Sequence, residues 1–267
     1  MNSGEFFSRS EALLGSVAMA RLKAARVLAV GIGGVGSWCA EALVRTGLGH
    51  ITLMDDDVVA ESNVNRQCPA TAATVGRPKV EAMAERLKAI NPRCEVEARN
   101  SRFSSAASFS SWDGFDLIID AIDSVDCKAE LILGATEAGM PIVSSMGAAL
   151  RLDPTKVKVT RFEKVEGDGL ARALRQRFKK LGRFPKGKFN CVWSGEQPIL
   201  NTETRIPRAI ASCEAGASGV RHREEEENSV PPCLCVKNKG SLMPVTTTFG
   251  MCLASEAIRI LTKGETK

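Results

Sequence analysis

Residues 27–55 read VLAVGIGGVGSWCAEALVRTGLGHITLMD. The apolar run at 27–30 is typical of a buried parallel strand, and the glycine-rich turn GIGGVGS follows it directly. Residues 37–47 have apolar side chains at helical spacing, and a second apolar run at 51–54 ends in Asp55. This order of strand, glycine turn, helix and strand predicts an α/β fold, a doubly wound and mostly parallel sheet with a nucleotide-binding glycine loop.

The glycine turn predicts a phosphate-binding site. Glycine lets backbone N–H groups approach a phosphate closely, and the start of the following helix adds partial positive charge. Asp55 comes roughly twenty residues after the glycines, where a carboxylate accepts hydrogen bonds from ribose hydroxyls. This pattern alone also fits a Rossmann-like enzyme that binds NAD. The glycines are Gly31, Gly33, Gly34 and Gly36.

Two cations beyond Asp55 favour a triphosphate over a pyrophosphate bridge. Arg66 lies in a polar loop that also contains Asn63, and Lys79 opens another helical pattern behind residues 76–78. An Arg and a Lys that converge on a glycine loop suit the larger charge of ATP. Either cation taken singly is also explained as a solvated surface charge.

An acidic residue is expected at the same edge of the sheet. Residues 115–122, FDLIIDAI, are apolar enough for a central strand, and Asp123 follows them. The carboxyl end of such a strand is the ligand-binding edge of an open α/β sheet, where an acid can hold Mg²⁺ against a triphosphate. Asp123 is equally compatible with capping the predicted helix at 125–139.

Four motifs in order resemble the ATP-binding core of the ubiquitin-activating enzyme superfamily, the ThiF/MoeB-type adenylating enzymes. They are GIGGVGS at 31–37, DDDVVAESNVNRQ at 55–67, GRPKVEA at 76–82 and AIDSVDCK at 121–128. Within that superfamily the sequence resembles the tRNA threonylcarbamoyladenosine dehydratases in particular. The likeness covers about residues 9–150.

The resemblance implies the activity and the residues that perform it. The implied reaction is an ATP-dependent cyclising dehydration of threonylcarbamoyladenosine in tRNA, through an acyl adenylate, with release of AMP and pyrophosphate. Homodimers are usual in the family, and Arg9, otherwise an exposed arginine near a terminus, would reach the phosphates, sometimes from the partner subunit. Asp123 would bind Mg²⁺. The implied catalytic residues are Arg9, Arg66, Lys79 and Asp123, and the implied ATP ligands are Gly31, Gly33, Gly34, Gly36, Asp55, Asp57, Asn63, Arg66, Lys79 and Asp123.

The basic charge is concentrated in one segment. The 267 residues carry a net charge of +5, but residues 151–190 contain 13 Lys and Arg against 4 Asp and Glu, a local charge of +9. Such asymmetry is typical of a nucleic-acid contact, although a charge run also suits a solvated face. Phe184 or Phe189, interleaved with the cations, is available for base stacking. The predicted tRNA contacts are Arg172, Arg175, Arg177, Lys179, Lys180, Arg183, Lys186 and Lys188.

The chain is predicted to form an ATP-binding core at 1–150 that continues through 151–267. The continuation contains the basic segment at 151–190, a mobile loop at 201–240 and a core helix at 245–262. The apolar stretch is long enough for a membrane span, but Glu256 and Arg259 lie inside it. A helix packed beside the sheet is therefore favoured over association with membrane.

Nine cysteines without a secretion signal predict reduced thiols in the cytoplasm. The spacing of Cys233 and Cys235 is not that of a zinc knuckle, so zinc is not expected. A redox or catalytic role for Cys191, Cys213, Cys233 or Cys235 stays open. So does a cysteine-desulfurase or sulfur-acceptor system as a further partner.

Three other functions remain as alternatives. An adenylating enzyme for the C-terminus of a ubiquitin-like sulfur carrier would use the same ATP site, but many such relatives carry two C-x-x-C pairs that this sequence lacks. A nucleotide-regulated RNA-binding scaffold with a dead ATP site is at odds with the intact phosphate-site residues. An NAD oxidoreductase lacks an evident acid–base pair for hydride transfer, since the only histidines are His50 and His222.

Overall fold

The structure is a computed structural model that describes residues 5–106, 112–199 and 240–263. Its centre is a seven-stranded sheet. The strands are β1 (Arg26–Val30), β2 (His50–Asp55), β3 (Glu95–Asn100), β4 (Leu117–Asp120), β5 (Ile142–Ser145), β6 (Val157–Arg161) and β7 (Asn190–Ser194). They lie in the order β3-β2-β1-β4-β5-β7-β6, and every neighbouring pair is parallel except β6 with β7. The predicted mostly parallel α/β sheet is confirmed.

Helices cover both faces of this sheet. They are α1 (Ser8–Leu14), α2 (Ser16–Ala24), α3 (Gly36–Thr46), α4 (Lys79–Ile90), α5 (Val125–Glu137), α6 (Gly169–Leu181) and α7 (Met243–Thr262). In β1, Val27 and Ala29 face a core shared with α3, α4 and α7, whereas Leu28 and Val30 face a core shared with α5 and α6. Alternate residues of a central strand are thus buried on opposite faces, which explains why the strand reads as a continuous apolar run.

The strand order reverses between β1 and β4. The chain moves outward from β1 to β2 and β3, then returns to the other side of β1 to lay down β4 and β5. The connections leaving β1 and β4 therefore diverge at the carboxyl edge of the sheet. In open α/β sheets this crevice is where ligands bind.

The C-terminal apolar stretch is a core helix. Val245, Phe249, Leu253 and Ala257 of α7 are fully buried against α3 and the sheet. Glu256, the charge that argued against a membrane span, is buried too; it accepts a hydrogen bond from Asn190 Nδ2 at 2.6 Å and pairs with Arg259. Among the described residues no helix is long and apolar enough to span a membrane.

Two segments differ from what the sequence predicts. The spacing of apolar residues predicts one helix over 11–26 with Leu13, Leu14, Val17 and Leu22 on one side. That prediction is wrong, because the chain breaks at Gly15 (φ 82°) into α1 and α2, and Leu13 and Val17 are exposed. The sequence analysis does not predict the buried strand β7, because its apolar run is short and directly follows a basic loop. The predicted mobile loop lies outside the described residues, apart from Gly240.

Candidate nucleotide site and basic surface

The glycine loop lies at the point where the strand order reverses. Gly31 has φ 89°, and a Cβ atom added there would lie 2.7 Å from the backbone carbonyl of Ala121, just beyond β4. A Cβ atom at Gly36 would collide with the carbonyl oxygen of Gly31. Only glycine permits this approach of the two loops. The loop that starts at Gly31 and the loop that carries Asp123 therefore lie side by side.

Asp55 holds the glycine loop from the end of β2. Its Oδ2 accepts a hydrogen bond from the N–H of Ile32 at 2.6 Å, and its Oδ1 accepts one from the N–H of Asp57 at 2.9 Å. Burial raises the pKa of Asp55, although these hydrogen bonds and the nearby charge of Lys79 oppose the rise. A carboxylate has about four acceptor positions, so Asp55 retains capacity for ribose hydroxyls.

Lys79 lies at the start of α4 with 7% of its side chain exposed. Its Nζ is 2.6 Å from Asp57 Oδ2, and its backbone N–H donates to the carbonyl oxygen of Asp57 at 3.0 Å. Since Asp57 is in turn bonded to Asp55, the ammonium group is connected to the glycine loop through two carboxylates. A role for Lys79 at the phosphates stays a prediction.

Arg66 packs on the glycine loop at Gly34. Its Cγ atom lies 3.4 Å from a Cβ position built on Gly34, and its carbonyl oxygen accepts a hydrogen bond from Trp38 Nε1 at 2.9 Å. The guanidinium group donates to Ser62 O and to Asn65 Oδ1, each at 2.9 Å. The stem of Arg66 is thus fixed, while its charged end is held by neutral oxygens that a phosphate can replace.

Asn63 and Asp123 have different surroundings. The Asn63 side-chain oxygen accepts a hydrogen bond from the N–H of Ala60 at 3.1 Å, so that it stabilises the turn before Arg66. Asp123 is exposed beside the glycine loop. The N-cap residue of α5 is Ser124, whose side chain makes no capping hydrogen bond. The capping role considered for Asp123 is therefore not what the structure shows, and its carboxylate faces solvent.

A cluster of three aspartates, separate from Asp123, has the spacing of a metal site. Asp55, Asp56 and Asp57 have carboxylate oxygens within 4.8 Å of one another. Within the described ranges, this is the one cluster of three or more His, Cys, Asp or Glu side chains with that spacing. Carboxylate oxygen is the ligand type that Mg²⁺ prefers, and both this cluster and Asp123 offer it.

The cations of the basic segment are not equivalent. Ala171, Leu174 and Phe178 bury the apolar face of α6. Three of the eight predicted contacts are bound within the fold: Arg175 donates to Phe162 O and Val165 O, Arg177 pairs with Asp126, and Arg183 pairs with Glu130 and Glu137. The side chains that remain exposed without a recorded partner in the described structure are Arg172, Lys179, Lys180, Lys186 and Lys188.

The two phenylalanines considered for base stacking also differ in exposure. Phe189 is 5% exposed and stacks on Phe162 with ring centroids 5.1 Å apart and an interplanar angle of 17°. Its predicted availability for base stacking is wrong, because it fills the core between β7 and α6. Phe184 is 58% exposed.

Cys191 is fully buried in β7, and burial raises its thiol pKa far above the usual range. A buried protonated thiol is a poor nucleophile. The other cysteines considered for a redox or catalytic role, Cys213, Cys233 and Cys235, lie outside the described residues.

Comparison with known proteins agrees with this geometry. The model of the ThiF family matches residues 7–267. The chain belongs to the ThiF family. It is 37% identical over 260 residues to the tRNA threonylcarbamoyladenosine dehydratase of Escherichia coli, covering 95% of this chain and 92% of that protein. It is 40% identical over 198 residues to the Bacillus subtilis protein of the same name, covering 74% and 77%. A crystal structure of the E. coli dehydratase in complex with ATP matches with a TM-score of 0.78 at 34% identity, covering 97% of this chain and 94% of that chain.

This ThiF-family site includes residues that the sequence did not single out. Lys128 and Asp120 form a fully buried ion pair below the loop that carries Asp123, and Gln67 lies buried near Gly33 with its Oε1 atom unpaired. Both Gln67 and Lys128 are the last letters of motifs quoted above. Their position in those motifs was the available signal; their burial was not readable, because Lys and Gln in loops are usually exposed.

Proposed function

We propose that this ThiF-family protein is an ATP-dependent tRNA threonylcarbamoyladenosine dehydratase. One observation carries the proposal: the glycine loop at the ligand edge of the sheet is contacted by Arg66 and is linked to Lys79 through Asp57 and Asp55. Two cations and a free carboxylate suit ATP with its metal. The match of nearly the whole chain to a dehydratase that has been crystallised with ATP supports the same activity here.

The proposed reaction has two steps, adenylation and ring closure. First, the carboxylate of the threonylcarbamoyl group attacks the α-phosphorus of ATP, a P–O bond forms, and pyrophosphate leaves with the electrons of the bond that breaks. Second, an atom of the ureido group attacks the activated acyl carbon, a ring closes, AMP leaves and one proton is released. The carboxylate oxygen departs within AMP, so the tRNA loses one water.

The residues of the site supply positioning and charge neutralisation. Arg66 and Lys79 neutralise the phosphates, and Asp55 orients the ribose. Asp123 is proposed to hold Mg²⁺, which when bound offsets the charge of the departing pyrophosphate. Gly31, Gly33, Gly34 and Gly36, with Asp57 and Asn63, complete the nucleotide site. No protein thioester is required, in keeping with the burial of Cys191.

The tRNA is proposed to lie along α6. Arg172 and Lys179 are seven residues apart and share one helix face, and Lys180, Lys186 and Lys188 extend the positive surface beyond it. Such a line of cations follows a phosphate backbone. The three internally bound arginines, Arg175, Arg177 and Arg183, hold α6 in place for this contact.

The protein is proposed to be a homodimer in which Arg9 of each subunit contacts the nucleotide of the other. Arg9 is exposed on α1, and Phe7 next to this helix packs near Gly47, at the end of α3 opposite to the glycine loop. The length of α3 separates the two ends by roughly 16 Å. A contact from Arg9 to nucleotide phosphates is therefore proposed to reach the site of the second subunit.

The remaining proposals concern organisation. Residues 1–150 and 151–267 form one unit, which the packing of α6 on α5 and of α7 on α3 supports. The protein works in the cytoplasm without zinc. A sulfur-acceptor partner is not needed by the two-step reaction.

Nucleoside mass spectrometry tests the function. The protein is incubated with ATP, Mg²⁺ and tRNA that bears threonylcarbamoyladenosine, and the tRNA is then digested. The expected result is a nucleoside lighter by about 18 mass units, one water, with AMP formed in equal amount. ATP omission is the control. An unchanged nucleoside in the complete reaction contradicts the proposal.

Adenylation of a sulfur-carrier protein is the second candidate, because it uses the same ATP site. It gives no role to the exposed cations of α6. Pyrophosphate exchange that depends on a carrier with a Gly-Gly tail, together with an unchanged tRNA nucleoside, would establish it in place of the dehydratase.

A further inference from the structure

We propose that Phe184 is a stacking platform for an unpaired tRNA base, at the end of the sheet opposite to the nucleotide site. The inference rests on the proposed function for the identity of the RNA. Phe184 exposes 58% of its surface, whereas Phe162, Phe178 and Phe189 in the same region are all buried. The fold thus has an aromatic core here and leaves one ring outside it.

The chain on the N-terminal side of Phe184 is anchored to α5. Arg183 pairs with Glu137 at 3.0 Å and with Glu130 at 3.6 Å. Its backbone N–H also donates to Phe178 O at 3.2 Å, directly after the left-handed Gly182 that ends α6. Arg183 offsets one of these two negative charges, and Lys180, Lys186 and Lys188 leave the surroundings of Phe184 with a positive balance.

The chain on the C-terminal side is anchored as well. The N–H of Lys186 donates to Thr136 Oγ1 at 3.3 Å, in the last turns of α5. Pro185 lies between this anchor and Phe184, and its ring fixes one backbone dihedral angle. A backbone that is anchored on both sides loses little conformational entropy when a ligand binds. The exposed ring of Phe184 is therefore preorganised for binding.

The charge around Phe184 favours RNA over an apolar protein partner. Lys180, Lys186 and Lys188 are exposed near it in the chain. A single exposed aromatic ring among lysines is the arrangement with which proteins bind unpaired nucleotides: the ring stacks on a base while the cations meet phosphates. An apolar partner would instead have to remove these charges from water.

The stacked base is not the one that reacts. The loop of Asp123 precedes the first turn of α5, and Thr136 lies near its other end. At 1.5 Å per residue, the eleven residues from the start of α5 to Thr136 span roughly 16 Å. A base on Phe184 therefore belongs to another part of the tRNA, and its contribution is to affinity and orientation.

The test is binding of labelled tRNA bearing threonylcarbamoyladenosine to the full chain without ATP, followed by fluorescence anisotropy over a range of salt concentrations. Phe184→Ala should weaken binding by about tenfold, within the range of one lost stacking contact, while the salt dependence stays unchanged. Lys186→Gln with Lys188→Gln should instead lower the salt dependence. Phe184→Trp should keep the affinity, and tRNA should quench its emission beyond the change seen in wild type.

Phe6→Ala is the matched control, because Phe6 is also exposed, at 47%, and lies outside the basic segment. It should bind tRNA as wild type does. Affinity of Phe184→Ala within twofold of wild type, or an equal loss in Phe6→Ala, overturns the inference. If wild type dehydrates the nucleoside while Phe184→Ala binds normally, this inference alone fails; if wild type neither binds nor dehydrates tRNA, the proposed function fails with it.

Discussion

Lys128 Nζ lies 2.8 Å from Asp120 Oδ2, and neither side chain is exposed to solvent. Asp120 ends β4 and Lys128 lies in the first turns of α5, so the pair closes the loop that carries Asp123. Lys128 also donates to Ile122 O at 3.0 Å, and Asp120 accepts a hydrogen bond from Ser144 Oγ at 2.6 Å. The exposed acid of the proposed site is thus supported by a buried ion pair.

Lys128→Met should lower the free energy of unfolding by about 3–5 kcal/mol, because it leaves the Asp120 carboxylate buried without its counter-charge. Urea denaturation followed by circular dichroism measures the change. The exposed Lys88 provides the control, since Lys88→Met should alter stability by less than about 0.5 kcal/mol. Equal stability of the two variants would show that the buried pair does not hold the loop.

Asp123→Asn should reduce AMP formation by about 100-fold or more while the Tm stays within about 2 °C of wild type. The exposed carboxylate makes no recorded hydrogen bond in the described structure, so its loss affects the proposed metal contact and not the fold. AMP release under saturating ATP and a thermal melt provide the two readouts. Glu166→Gln, at an exposed acid outside the proposed nucleotide site, should keep most of the activity. Full activity in Asp123→Asn would exclude the metal role.

Lys79→Met should lose both activity and stability, in contrast to Asp123→Asn. The Lys79 side chain is 7% exposed and bound to Asp57, so its removal leaves a carboxylate without its partner at the base of the site. We expect loss of ATP turnover together with about 1–2 kcal/mol of unfolding free energy, reduced by the exposure of Asp57. Isothermal titration with ATP and urea denaturation check the two effects. Unchanged ATP affinity would remove Lys79 from the phosphate site.

The cations of α6 should separate into two classes on mutation. Lys179→Gln with Lys180→Gln should weaken tRNA binding and lower its salt dependence, without effect on the Tm. Arg175→Gln should instead lower the Tm, because its guanidinium lies 4.9 Å from the Phe162 ring and donates to two carbonyls. Anisotropy titrations and thermal melts distinguish the classes. A Tm loss in the lysine double variant would contradict this division.

Acid should weaken the contact between α3 and α4. Burial raises the pKa of Glu41, but hydrogen bonds from Arg86, Cys68 and Arg45 outweigh it and lower that pKa to about 2. The folded-state pKa lies below the ordinary glutamate value of 4.5, so the stabilisation is present above about pH 4.5 and is lost as the pH falls towards 2. By linkage the loss is at most roughly 3 kcal/mol, and solvent screening of the partly exposed Arg86 and Arg45 reduces it. Urea midpoints between pH 6 and pH 3 should fall less in Glu41→Gln than in wild type; equal slopes would contradict the assignment.

The sequence predicted the parts of the fold whose signals are local. The apolar run at 27–30, the glycine turn and the apolar run around β4 each specify a strand or loop within a few residues. The helix break at Gly15 was missed because apolar residues on both sides continue a helical period, although Leu13 and Val17 do not meet the core. Periodicity reports spacing, and burial depends on what the rest of the chain places nearby.

The sequence indicates which residue types belong to the candidate site, but it does not show which side chains they contact. The motifs single out Asp55, Arg66 and Lys79, but the pairing of Lys79 with Asp57 requires residues 22 positions apart to meet. The same limit applies to Phe184 and Phe189. Their sequence surroundings are alike, and only the packing of Phe189 on Phe162 shows which ring is available.

The pairing of Lys79 with Asp57 has a consequence for turnover. In the proposed site, a phosphate that binds this ammonium group either shares it with the Asp57 carboxylate, 2.6 Å away, or displaces that carboxylate. In both cases the phosphate gains less than it would from an unpaired lysine. On this proposal, Asp57 limits how tightly the nucleotide is held.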